Sequence, residues 1–185
     1  MKPMEDYMVE HAPVLWFTGL SGAGKTTIAK EVQSNLLRQN VKAELLDGDE
    51  VRETLSSDLG FSKQDRDLQV NRIAFVANLL AKNGIVVLVS AISPYRDSRE
   101  SAINSFARGF EIFVDAPLPV LEQRDTKGLY SRARLGEIKN LTGVDDPYEK
   151  PEFPALHLNT DGVQLFESVG EVLNLLIKEC AVARG

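Results

Sequence analysis

Along this chain the apolar positions switch repeatedly between two periods. Val14-Leu15-Trp16-Phe17-Thr18 and Ile85-Val86-Val87-Leu88-Val89 are continuous β-favouring runs, the signature of strands buried on both faces of a parallel sheet. Residues 41–46 alternate as a second strand, residues 110–114 read as a fourth, and residues 155–159 as a short fifth. Between these runs the period lengthens to that of a helix. Residues 27 to about 39 bring Ile28, Val32, Leu36 and Leu37 onto one face, and a short helix is expected from Glu50. Ser62 and Asp65 fit a capping box at the start of a long helix over residues 63–83. Its inward positions are expected to be Leu68, Ile73, Val76, Leu79 and Leu80, with Gly84 as the stop. Further helices are predicted over residues 95–108, 120–124 and 163–179, whereas residues 125–154 show no clean apolar period.

One polar stretch interrupts the first strand-to-helix step. Gly19-Leu20-Ser21-Gly22-Ala23-Gly24-Lys25-Thr26-Thr27 fills the G-x-x-x-x-G-K-[ST] pattern of a phosphate-binding loop. Glycines let successive backbone N–H groups turn inward, and the following helix adds the positive end of its dipole. Lys25 can reach the β- and γ-phosphates, and the Thr26 hydroxyl can ligate Mg²⁺. A nucleoside triphosphate is therefore the expected ligand. With strands and helices alternating around it, the predicted class is α/β: a P-loop kinase-type three-layer αβα fold with a mainly parallel five-stranded sheet and a lid. It is expected to form a single domain over residues 1–185, with residues 1–11 as a flexible lead-in.

In such sheets ligands sit beyond the carboxyl ends of the strands. The polar clusters at residues 19–26, 47–52 and 90–96 and at Asp115 all fall there, so they predict one active site. Asp47-Gly48-Asp49 would project its carboxylates toward the loop, with Asp49 near the acceptor hydroxyl and the metal. Arg52, Arg66 and Arg72 offer cationic forks, and Phe61 in a neighbouring loop offers a ring on which a base could stack. Together they suggest an acceptor that is both anionic and heteroaromatic. Residues 124–154 carry Arg124, Lys127, Arg132, Arg134 and Lys139 together with Leu129, Tyr130, Ile138, Leu141 and Tyr148. Cations with apolar residues in so long a connection predict a lid over about residues 125–154, which keeps water from the γ-phosphate.

Composition narrows the class without changing it. The net charge of −6 over 185 residues argues against a nucleic-acid or membrane-surface role. No apolar run is long enough to span a bilayer. The single cysteine, Cys180, excludes an internal disulfide and suits a reducing, cytoplasmic setting.

The motifs GLSGAGKTT, LDGDEVR, DLGFSKQDR, ISPYR, RDTKGLY and ARLGEIKNLTGVDDPYEKP, spread over residues 19–151, resemble those of the adenylyl-sulfate kinase (APS kinase) family. The resemblance implies Mg²⁺-dependent transfer of the ATP γ-phosphate to the 3′-hydroxyl of adenosine 5′-phosphosulfate, giving PAPS and ADP in sulfate assimilation. It implies a homodimer, and leaves open fusion or association with ATP sulfurylase. By position it makes Lys25 and Asp49 catalytic, with Ser93 matching a family-assigned phosphoserine. Gly19 to Thr27 and Arg124 would bind ATP, with Arg124 bordering its adenine. Asp47, Arg52, Phe61, Arg66, Gln69, Ile92, Ser93, Lys127 and Leu141 would bind adenylyl sulfate, while Thr26 and Asp49 take the metal. Direct in-line transfer is expected, because no neighbour in the sequence would activate Ser93 as a nucleophile. The chain departs from the family pattern at Gln69, Asn71, Ala91 and Leu141. Leu141 stands where an aromatic usually completes the adenine sandwich with Phe61. Another P-loop small-molecule kinase acting on a nucleotide-like acceptor is the alternative.

Overall fold

A computed structural model describes residues 11–182, so all but the last residue of the expected lead-in lies outside the described residues. The strands are β1 (Val14–Thr18), β2 (Ala43–Asp47), β3 (Val86–Ser90), β4 (Gly109–Asp115) and β5 (Leu156–Asn159). They pair in the order β2-β3-β1-β4-β5, and every pairing is parallel. The helices are α1 (Lys25–Arg38), α2 (Gly48–Glu53), α3 (Lys63–Lys82), α4 (Arg96–Asn104), α5 (Leu118–Arg124), α6 (Leu129–Arg134) and α7 (Leu165–Val182). Successive residues of β1 point to opposite faces. Leu15 and Phe17 join Ile28, Val32 and Leu36 of α1 and Val172 and Leu176 of α7 in one core. Val14 and Trp16 join Val70, Ile73 and Ala77 of α3 and Ala102 of α4 in the other. Helices thus cover both faces of the sheet, which is why β1 and β3 read as unbroken apolar runs.

Two expectations are corrected by this packing. Helix α3 buries Val70, Ile73, Ala74, Ala77 and Ala81, while Leu68 and Leu79 are exposed and Val76 and Leu80 only half-buried. Alanines let the helix axis approach the sheet closely, so the stripe holding most of them faces inward. Leu68, Leu79 and the 73 % exposed Phe75 remain as an outer apolar stripe. Residues 125–154 are also less irregular than the sequence suggests, since α6 lies within them. The Asp125 carboxylate accepts from the backbone N–H groups of Tyr130 and Ser131 at the start of α6, each at 3.0 Å. Those bonds, Ser131's first, hold its carboxyl below the usual aspartate range.

β1 lies between β3 and β4, so the chain leaves it at the point where strand order reverses, the place where such sheets open a crevice. The capping box at the head of α3 forms as the sequence predicts, with Ser62 accepting from Asp65 N and Asp65 accepting from Ser62 N.

Candidate active site

The loop after β1 begins at Gly19 with φ +145°, and a Cβ there would stand 2.0 Å from the Val114 carbonyl oxygen. Only glycine fits. At the far end Gly24, with φ 100°, caps α1 without any side-chain hydrogen bond to the helix's first N–H groups. Those donors are left pointing into the loop, as an anion site requires. Lys25 is buried and donates to Gly19 O at 2.8 Å and Leu20 O at 2.9 Å. Burial, with the Lys127 charge second, lowers its ammonium to about 8 against the partial relief of Asp49 and Asp47.

The loop is fastened from three sides. Tyr130 of α6 donates its hydroxyl to Ser21 O at 2.9 Å, and burial pushes that phenol up to about 12. The Thr160 hydroxyl donates to Ala23 O at 3.0 Å. Arg124 donates to Thr160 O at 2.6 Å, Thr160 Oγ1 at 3.0 Å and Gly22 O at 3.3 Å, so its fork closes the loop against the end of β5.

Thr26 faces the ends of β2 and β3. Its hydroxyl donates to Asp47 Oδ2 at 2.6 Å, and with that proton spent, Ser90 Oγ at 2.8 Å is the donor to Thr26 Oγ1. Asp47 also accepts from Asp49 N at 2.9 Å, which starts α2 and aims Asp49 outward. Buried Gln69 donates to Gly48 O at 2.7 Å and so holds the same turn from α3. Asp49 pairs with Lys127, which precedes α6. The hydroxyl and two carboxylates make a set of hard oxygen donors suited to Mg²⁺. Ser90 belongs to this corner; the sequence places it in the polar cluster at residues 90–96 without giving it a role of its own, since its only signal is its place at a strand end.

Phe61 is 58 % exposed, with the Arg52 guanidinium 4.7 Å and that of Arg66 5.7 Å from its ring centre. Burial, with the Arg66 charge second, lowers the Arg52 guanidinium below its ordinary value, so an anion there would be welcome. Arg66 itself is largely committed. It donates to Phe61 O at 3.0 Å and to Asn140 O at 2.8 Å, and pairs with Asp146 at 3.3 Å. Arg72 is turned away and forms a fork with Asp58. Leu141 is 7 % exposed and belongs to the core cluster with Ala23, Leu121 and Tyr130.

Ile92 and Ser93 lie just beyond β3. The Ile92 carbonyl accepts from Thr18 Oγ1 at 2.7 Å, and Thr18 in turn accepts from Tyr148, whose phenol burial pushes upward. Ser93 is 4 % exposed, and its hydroxyl accepts from the Trp16 indole at 3.0 Å. Among the described residues no group of three or more His, Cys, Asp or Glu could hold a metal, and no helix is long and apolar enough to cross a membrane.

Residues 11–159 match the family described as adenylylsulphate kinase. The chain is 55% identical to the adenylyl-sulfate kinase of Deinococcus deserti over 163 residues, covering 88% of this chain and 90% of that one. It is 55% identical to the adenylyl-sulfate kinase of Chloroflexus aurantiacus, covering 88% of each. A structure of the Mycobacterium tuberculosis APS kinase CysC in complex with AMPPNP and APS superposes with a TM-score of 0.88 at 45% identity, covering 91% of this chain and 99% of that one.

Proposed function

The chain belongs to the adenylyl-sulfate kinase family, and from that premise we propose how its own residues carry the γ-phosphate of ATP to the 3′-hydroxyl of adenosine 5′-phosphosulfate. The observation that carries the reading is the course of residues 127–146. They join Lys127 on Asp49 to Asn140 and Asp146 on Arg66, beside the exposed ring of Phe61. One segment thus links the carboxylate beside the phosphate loop to the aromatic–guanidinium corner.

ATP lays its polyphosphate on the uncapped start of α1, and Lys25 leaves the carbonyls of Gly19 and Leu20 for the phosphates. Arg124 borders the adenine beside Thr160. Thr26, Asp47 and Asp49 would hold Mg²⁺, which supplies charge neutralisation on the transferring phosphoryl group when bound. Adenylyl sulfate stacks its base on Phe61 and sets its anionic groups toward Arg52 and the free donors of Arg66. Asp49 orients the acceptor hydroxyl and takes its proton, which requires Lys127 to leave it for the substrate. Ser93 is a strut, because its buried hydroxyl is already an acceptor for Trp16 and no base contacts it. Residues 125–154 act as the lid, hinged between the Arg124–Thr160 clamp and the arm after Asp146.

We also propose a homodimer, supported by the apolar stripe of Leu68, Phe75 and Leu79 that α3 turns away from its own core. The cytoplasm, where ATP is abundant, is the proposed setting. The test is an acceptor comparison with ATP and Mg²⁺. Adenylyl sulfate should exceed AMP in kcat/KM by orders of magnitude, and comparable values for the two would refute the assignment.

A further inference from the structure

We infer that Arg99 is a positioning residue for the acceptor side of the proposed site, fixing the turn at residues 92–94 and the return arm of the lid against the end of β1. The identity of the acceptor rests on the kinase reading above, while the positioning rests on geometry alone. Arg99 lies in α4 and is 0% exposed. A buried guanidinium must have its donors satisfied. Here the three nitrogens go to three different segments: Nε to Glu111 of β4 at 2.5 Å, Nη1 to Ser93 O at 2.6 Å, and Nη2 to Glu149 O at 2.8 Å. Only the first of these neutralises charge. The other two hold backbone, which an ion pair by itself does not need.

The turn being held is strained. Ser93 has φ 46°, the left-handed region that a residue with a Cβ enters at a cost. Such conformations persist where the surroundings over-determine them. Around Ser93 they do: Trp16 holds its hydroxyl, Thr18 holds the Ile92 carbonyl, and Glu149 N donates to Pro94 O at 2.9 Å. Glu149 also accepts from Arg96 N at 2.6 Å at the head of α4, so arm and turn are stitched together on both sides of Arg99. Upstream, Ser90 touches Thr26, and Ala91 lies where a Cβ on Gly48 would meet its own Cβ at 3.2 Å. The residues just before the turn thus pack on Thr26 and on the start of α2 at Gly48, and the turn itself is anchored separately by Trp16, Thr18 and Arg99. Lysine could keep the pairing with Glu111, but one compact ammonium cannot reproduce a fork that also spans two carbonyls.

Trp16 is the one tryptophan of the chain, so its indole N–H gives a single resonance that reports the bond to Ser93. The test uses Arg99→Lys and the double variant Arg99→Met with Glu111→Leu, which removes the pair without leaving an orphaned charge. In both, with cooperative melting retained, the indole resonance should shift or split, and KM for adenylyl sulfate should rise at least about fivefold while KM for ATP stays within about twofold. An unmoved indole resonance, equal rises in both KM values, or loss of folding in both variants overturns the inference, leaving Arg99 as a core ion pair. If the unaltered protein made no PAPS, the kinase reading would fall, and the indole measurement would still decide the positioning role.

Discussion

Leu141→Phe separates two accounts of the lid. If Leu141 formed the second face of an adenine sandwich with Phe61, a ring would add part of the ~1–3 kcal/mol that base–aromatic stacking provides, and adenylyl sulfate would bind more tightly. The structure argues otherwise. Leu141 is 7 % exposed among Ala23, Leu121 and Tyr130, and its N–H is held by Asp145 at 2.6 Å. A larger ring must therefore displace packed neighbours, at ~1–3 kcal/mol. Charged to the seated lid, at about 1.4 kcal/mol per tenfold, this shifts the equilibrium by roughly 5- to 150-fold toward an unseated arrangement. Calorimetric titration of both proteins with adenylyl sulfate in the presence of ADP reads the difference. Weaker binding with a lowered melting temperature is expected for the variant. Tighter binding would refute the packing argument and restore the sandwich, while unchanged binding with unchanged melting would refute both.

Four further outcomes follow from the site. Polyphosphate favours the ammonium form of Lys25, whose value is lowered to about 8, so nucleotide binding at pH 8.5 should take up a proton, seen as a buffer-dependent binding enthalpy that Lys25→Arg abolishes; absence of uptake sinks the claim. Because the folded value lies below the ordinary 10.5, the buried charge costs stability fully below about pH 8 and the cost is relieved as pH rises from there toward 10.5, so melting should show that relief. Asp49→Asn should lower turnover by ~10²–10⁴-fold with the fold intact, and a change of only a few-fold would remove Asp49 from the acid–base role. Ser93→Ala should leave measurable turnover while losing ~1–3 kcal/mol of stability, because the Trp16 N–H is left without its acceptor; abolished turnover in a folded protein would support a phosphoserine route instead.

Much of this arrangement is legible in the sequence because the periods and glycines are local physics. β1, the loop and α1 follow from an apolar run, a glycine that no other residue can replace, and an uncapped helix start. The capping box at Ser62 is likewise written in residues three apart. What resisted reading depends on partners distant in sequence. Leucines in α3 look like core until alanines prove to set the buried face. α6 has six residues and one buried side chain, Tyr130, too few for a period to show. Arg66 and Gln69 read as substrate ligands from their place near the site, but the bonds that hold them there depend on residues the sequence does not put beside them. The structure has Gln69 on Gly48 O and most of Arg66 on carbonyls and Asp146, because a buried donor takes whichever acceptor the fold brings within reach. Ser93 gives no sign of its strained turn or of Trp16, 77 positions away.

The most direct measurement is the position of the transferred phosphate. The purified protein is supplied with Mg²⁺, ATP carrying oxygen-18 on its γ-phosphoryl group and adenylyl sulfate, and the product is resolved by phosphorus NMR. The account predicts label in a monoester coupled to the ribose 3′ proton, with the sulfate anhydride intact and ADP formed in equal amount. Label at any other oxygen, or ADP formed without a labelled nucleotide, would contradict it.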